Sequence, residues 1–190
     1  MTIIIILIQT IVWLIITLVL ARLLYILGIN LFTYNLTDKR LKGFPNYRIP
    51  NKFLHGPVTS AESRLVPYPT PHAMVSSCIY DVHKKIMRIR AKIPDGVYWS
   101  ITFFGRNQAC YFTLNDIKAK QKYGQDIEII LKKRGVSYKE KKDEIIVSAP
   151  RFSNKGLILI RIIMMDPSDK EEIKKISKIQ KMVNTEVFDF

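Results

Sequence analysis

From Ile3 to Leu20 the chain carries no charged side chain, and Gln9, Thr10 and Thr17 are the polar members of that run. After Ala21 and Arg22 the apolar character resumes through Leu23, Leu24, Tyr25, Ile26 and Leu27. A bilayer core about 30 Å thick needs roughly 20 apolar helical residues. In hydrocarbon a helix satisfies its own backbone polar groups, so a single span has to be helical. The stretch from Ile3 to Leu27 therefore reads as a transmembrane helix, and the membrane is the first expected partner.

A cleaved secretory signal fits less well. Met1 and Thr2 supply no basic n-region, the run exceeds the roughly 7–15 residues of a signal h-region, and no small-x-small site follows Leu20. Arg22 is compatible with the span because its long stem can carry the charge to the headgroups. Trp13 reads as ordinary apolar filling, while Tyr25, Phe32 and Tyr34 suit the interfacial belt.

Orientation pulls two ways. Arg22, Lys39, Arg40, Lys42, Arg48 and Lys52 follow the span, and the positive-inside rule would put the remainder in the cytoplasm. Yet the whole chain is basic, with 30 Lys+Arg against 16 Asp+Glu and a formal charge of +14. An AT-rich genome would enrich Ile and Lys without any selection for charge.

Beyond the span, 190 residues in total leave room for one domain with a sizeable core. The expected division is an anchor over 1–30, a juxtamembrane connector and Pro-rich extended loop over 31–74, and a β domain over 75–190. Pro57, Pro67, Pro69 and Pro71 are too many for a helix or a central strand. From Val75 the pattern predicts short strands at Val75–Val82, Ile86–Ile93, Val97–Phe104, Ala109–Leu114, Asp126–Leu131, Glu144–Ser148 and Leu157–Met164. A hairpin through His83, Lys84 and Lys85 is expected between the first two. The last is apolar on both faces except at Arg161, which predicts a central or doubly covered strand. Ser168 with Glu171 predicts a capped helix whose stripe of Ile173, Ile176, Ile179 and Val183 docks on the sheet. The fold class is mainly β: one N-terminal transmembrane helix, then an antiparallel sandwich with a short C-terminal helix.

No motif names a reaction. Cys78 and Cys110 form no CxxC and are expected to be buried free thiols. His55, His72 and His83 lack metal-ligand spacing, and no GxSxG, P-loop or GxGxxG occurs. No catalytic residue, cofactor or metal site is expected. An enzyme would need His55 or His72 to converge with Asp81 or Asp116 in a cleft. The basic groups Lys132-Lys133-Arg134 and Lys139, Lys141, Lys142 lack the ordered aromatics of a single-strand reader, so nucleic acid is not the expected partner. They suit a solvated loop or a surface facing lipid headgroups.

Between Asn51 and Asp116 the chain carries Asn51-x-Phe53-x-His55, a Ser-Ser-Cys78-Ile-Tyr80-Asp81 block, Tyr98-Trp99-Ser100-Ile101, and Tyr111-x-x-Leu114-Asn115-Asp116. In the order and spacing of these blocks it resembles the bacterial family catalogued as domain of unknown function 1254, in its short, N-terminally anchored form. The likeness continues more loosely through Glu144–Pro150, Gly156–Ile163 and Asp166-Pro167. It implies a jelly-roll-like domain on the periplasmic side of the bacterial inner membrane and a related anchored protein as partner. It brings no catalytic residues. Tyr98, Trp99, Asn115 and Asp116 read as sheet-packing and strand-end turn residues. The expected role is a non-enzymatic envelope interaction protein, with a β domain binding a small apolar or lipid-like ligand as the alternative.

Overall fold

The computed structural model describes residues 2–59, 72–151 and 153–189. Helix α1 (Thr2–Lys42) is one continuous helix of 41 residues, which at 1.5 Å per residue is about 60 Å long. It is long and apolar enough to cross a membrane. Its polar side chains turn back on the helix: Thr10 donates to the Ile6 carbonyl, Thr17 to Trp13, Asn30 to Ile26 and Thr33 to Ile29, each at 2.8 Å. That arrangement asks for no solvent partner. From Ile3 to Phe32 every residue of the helix is exposed, so among the described residues nothing covers this apolar length.

A 3₁₀ turn (Pro45–Arg48) leads into the strands. These are β1 (Phe53–Val58), β2 (Ala73–Asp81), β3 (Lys85–Lys92), β4 (Tyr98–Phe104) and β5 (Cys110–Asn115). Helix α2 (Asp116–Tyr123) follows, then β6 (Asp126–Lys133), β7 (Glu144–Ala149), β8 (Lys155–Ile163), helix α3 (Lys170–Lys181) and β9 (Asn184–Asp189). Two sheets form, one ordered β1-β2-β8-β4-β5 and the other β7-β6-β3-β9. Their inner faces share one core: Cys78, Tyr80, Ile101, Phe103, Ile158 and Ile160 meet Ile89, Ile129, Leu131 and Val147. The chain is thus mainly β with an N-terminal helix, and β8 lies centrally between β2 and β4, as its two-faced apolar pattern requires.

The expected hairpin through His83 to Lys85 does not form. β2 pairs with β1 and β8, while β3 pairs with β6 and β9, so this turn carries the chain from one sheet to the other. The sheets are not wholly antiparallel either, because β6 and β7 run parallel. Residues 134–143 make that crossover without a helix, and Tyr138 on this arm donates to Glu144 at 2.9 Å. Tyr138 also lies beside Phe188, and Arg88 pairs with Glu144 at 3.7 Å and with Glu186 at 3.2 Å. This outer face of the smaller sheet is closed by charge pairs.

Three elements exceed the expected set. β1 lies within 31–74, and its Pro57 is tolerated because β1 is an edge strand. α2 and β9 are short and polar. The Pro-rich extended loop expected from Gly56 to Pro71 lies, from residue 60 onward, outside the described residues. At α3 the cap is Asp169, one residue later than expected, accepting from the Glu171 and Glu172 amides. Ser168 instead donates to Asp166 at 2.6 Å, and Glu172 reaches back to the Asp166 amide at 3.2 Å. Ile176 is buried on the core, with Ile173 packed beside it.

Candidate functional site

The joint between α1 and the sandwich is built from one helix face. Thr33, Tyr34, Thr37, Asp38 and Leu41 recur at helical spacing, and Thr37 and Leu41 are buried. Arg106, in the turn between β4 and β5, grips the Asp38 carboxylate through Nε (3.2 Å to Oδ1) and its second terminal nitrogen. Its guanidinium carbon lies 5.5 Å from the Tyr34 ring centre. The Arg106 amide donates to Ser153 Oγ at 3.1 Å, which fixes the turn against the loop between β7 and β8. On the other side of the joint, Asn46 donates to the Ser77 carbonyl at 2.9 Å from a buried position. The helix is fastened to the domain at several points. The sequence signal for it is Asp38, the first acidic residue of the chain, standing among Lys39, Arg40 and Lys42.

Most of the family-matching residues are architectural in this geometry. Asn51, at φ 64°, presents its amide to Asp81 as a strand neighbour would. Its Nδ2 donates to the Asp81 carbonyl (3.0 Å), and its Oδ1 accepts from the Asp81 amide (2.7 Å). The Asn51 carbonyl accepts from Thr185 Oγ1 of β9 at 2.7 Å, so one residue links both sheets. Asn tolerates the left-handed region better than other non-glycine residues, which explains its use here. Phe53 packs on the core and stacks near the His55 ring, 6.4 Å between centres. Tyr80 donates across the sheet to the carbonyls of Ser153 (3.1 Å) and Phe104 (3.3 Å), and burial pushes its hydroxyl pKa up to about 12. Trp99 and Ser100 are buried, whereas Tyr98 is exposed. Asn115 caps α2 by accepting from the Lys118 amide at 3.0 Å, and Asp116 opens that helix.

These groups do not assemble a reactive centre. His55 Nδ1 is 2.9 Å from Ser76 Oγ, but Ser76 is fully buried. Burial, and then the nearby Lys181 charge, hold the His55 pKa below its usual value. His72 precedes β2 and Asp81 ends it, about 30 Å apart at 3.3 Å per residue. Four strand spacings of about 4.8 Å separate β1, which carries His55, from β5, which leads into Asp116. The pairs that an enzyme reading needs are therefore kept apart. Cys78 is a buried free thiol whose pKa burial raises, while Cys110, contrary to expectation, is exposed.

What the sandwich offers outward is the far face of the larger sheet. β8 alternates strictly, with Ile158, Ile160 and Ile162 inside and Leu157, Leu159, Arg161 and Ile163 outside and half-buried. Cross-strand pairing sets Val75 beside Arg161, Leu54 beside Ser77 and Tyr98 beside Ile163 on that same face. Small Ser100 and Thr102 fill its floor. A largely apolar surface with one central arginine results.

A family model described as protein of unknown function (DUF1254) matches residues 50–185. A crystal structure of a Vibrio parahaemolyticus protein is similar with a TM-score of 0.60 at 13% identity, covering 85% of this chain and 36% of that one. An uncharacterised Burkholderia cenocepacia protein aligns at a TM-score of 0.46 and 10% identity, over 86% of this chain and 41% of that one. The chain thus spans well under half of either protein's length. No curated protein matches it.

Proposed function

The chain belongs to the DUF1254 family of proteins of unknown function, and from that membership we propose that it is a non-enzymatic interaction subunit of the bacterial cell envelope. In this reading α1 crosses the inner membrane, the sandwich stands on the periplasmic side, and a second anchored protein docks on it. The observation that carries the reading is the outer face of the larger sheet. Val75, Leu157, Leu159 and Ile163 form a half-exposed apolar field there, whereas the smaller sheet's outer face is closed by the Arg88 ion pairs. Covering one face and charging the other is how a β domain selects which side binds. The charge rule favours the opposite orientation, but a chain basic throughout lacks the asymmetry on which that rule depends.

An apolar ligand held inside the sandwich is less well supported, because Trp99, Tyr80 and Phe103 fill the space between the sheets. The docking face is tested by placing a photo-crosslinking residue at Leu159 in cells, with Arg90 on the opposite sheet as control. A crosslink from 159 but not 90 to a membrane-anchored protein carrying its own folded domain is the expected result. Crosslinks only between copies of this chain, or equal yields from both positions, would overturn it.

A further inference from the structure

Strand registers place a distinctive set of charges at one end of the sandwich. Asp81 pairs with Lys155, Lys133 with Ala149, Lys85 with Asp189, and Phe104 with both Leu157 and Cys110, so all these strand ends lie together. They lie at the end where Arg106 holds α1. Lys84, Lys85, Arg106, Lys133, Arg134 and Arg151 gather at this end, and the acids described there include Asp38, paired with Arg106, and the strand-end residues Asp81 and Asp189. Asp95, Asp126, Asp166 and Asp169 belong to the opposite end.

Between the end of β6 and the loop from β7 to β8 this basic end opens into a cleft of about 490 Å³, lined by Lys133, Arg134, Pro150, Arg151 and Asn154. The same loop supplies Ser153, which fixes the Arg106 turn on α1. The exposed length of α1 from Ile3 to Phe32 is about 45 Å at 1.5 Å per residue, matching a bilayer with its headgroup layers. The helix face gripped by the domain begins immediately afterwards, at Thr33 and Tyr34. The basic end that holds the cleft is therefore also the end at which α1, leaving its exposed length, first meets the sandwich.

We propose that this cleft is a headgroup-phosphate site for an anionic phospholipid, an inference that rests on α1 spanning the bilayer. Lys133 and Arg134 supply the charge, Arg134 with a planar fork suited to phosphate oxygens, and Arg151 lines the opposite wall. Asn154 Nδ2 lies 3.4 Å from His83 Nδ1 at the cleft wall, which orients that amide. The site works in either leaflet, since both carry phosphate.

The test reconstitutes the full chain in nanodiscs of phosphatidylcholine with a minor share of phosphatidylglycerol and counts retained lipids by native mass spectrometry. The wild-type chain should retain phosphatidylglycerol above its bulk share. The variant Lys133→Gln/Arg134→Gln should lose that preference, by roughly five-fold per charge removed. The variant Lys118→Gln/Lys122→Gln/Lys139→Gln, altered away from the cleft, should keep it. No preference in the wild-type chain, or an equal preference in the cleft variant, would overturn the site. Loss of the preference on adding inorganic phosphate would also overturn it, by making free phosphate the ligand. Carbonate extraction of native membranes reads the anchor separately. A chain stripped by carbonate fails the spanning reading, and one that resists carbonate without lipid preference fails this site alone.

Discussion

Arg106 and Asp38, 68 positions apart, form a two-point guanidinium–carboxylate pair that fastens the last turns of α1 to the turn between β4 and β5. Both side chains are more than a quarter exposed, so the pair adds little to global stability, about 0.2–1 kcal/mol. Its effect is on geometry. In Arg106→Ala, Tm should change by only a few degrees, while spin labels at Leu36 and Gln108 should show a broadened distance distribution. An unchanged width would mean that Thr37 and Leu41 hold the joint without the ion pair.

Gly156 is a position where one methyl group should be costly. A Cβ there would meet the Phe104 carbonyl oxygen at 2.2 Å and Tyr80 Oη at 2.5 Å, and the first of these is backbone. Gly156→Ala should destabilise the full chain in detergent by roughly 1–3 kcal/mol, as overpacking does. Tyr80→Phe, which removes the hydroxyl from two buried carbonyls, should cost about 1–2 kcal/mol. Denaturant unfolding followed by circular dichroism measures both, and a neutral Gly156→Ala would contradict the packing described.

His55 gives a pH dependence whose sign follows from its environment. Its folded pKa lies below the unfolded value near 6.5 because burial, then Lys181, disfavour the charged ring. The unfolded chain therefore binds the proton more readily in the window below 6.5. The stability associated with His55 is fully present above that value and declines as pH falls towards the lower folded pKa. His55→Gln should flatten this part of the Tm profile between pH 8 and pH 5, and a profile of unchanged slope would count against the assignment.

The two thiols should separate cleanly under a membrane-impermeant maleimide in detergent. Cys110 is exposed and should react at once, whereas Cys78 is buried with its pKa raised. Cys78 should label roughly a hundred-fold or more slowly, as expected when reaction needs a local opening of about 3 kcal/mol. Comparable rates would place Cys78 outside the core.

Fusions behind Phe190 decide the side of the membrane. Alkaline phosphatase activity, with no fluorescence from a protein that fails to mature after export, is the expected result. The reverse pattern would move the sandwich to the cytoplasm.

Much of the sheet was legible because its strands are buried on at least one face and carry period-two or continuous apolar patterns, as in Leu157–Met164. Edge strands carry weaker patterns. β1 contains Gly56 and Pro57, and β9 reads Asn-Thr-Glu-Val-Phe-Asp, so neither announces itself. For α2 the Asn115 cap and Gly124 at its end were visible signals, but eight largely polar residues gave no apolar stripe. Which strand pairs with which is decided by the shared core and not by the turn, so His83 to Lys85 looked like a hairpin and proved to be a crossing. Within the site, the Asn51 contact with Asp81 and the Arg106 grip on Asp38 join residues 30 and 68 positions apart, and no local pattern encodes such distances.

A sandwich fastened to its stalk through Arg106 would meet its neighbours under unusual conditions. On a flexible tether, two anchored proteins would have to find both position and orientation at each encounter. If α1 spans a bilayer as proposed, its contacts at Tyr34 and Asp38 would limit tilt and height in advance, and diffusion in the plane would leave chiefly rotation about the membrane normal to be searched. Much of the orientational entropy of association would then be lost once, during folding, and not at each binding event. Modest contacts across an apolar sheet face can suffice between partners held in this way.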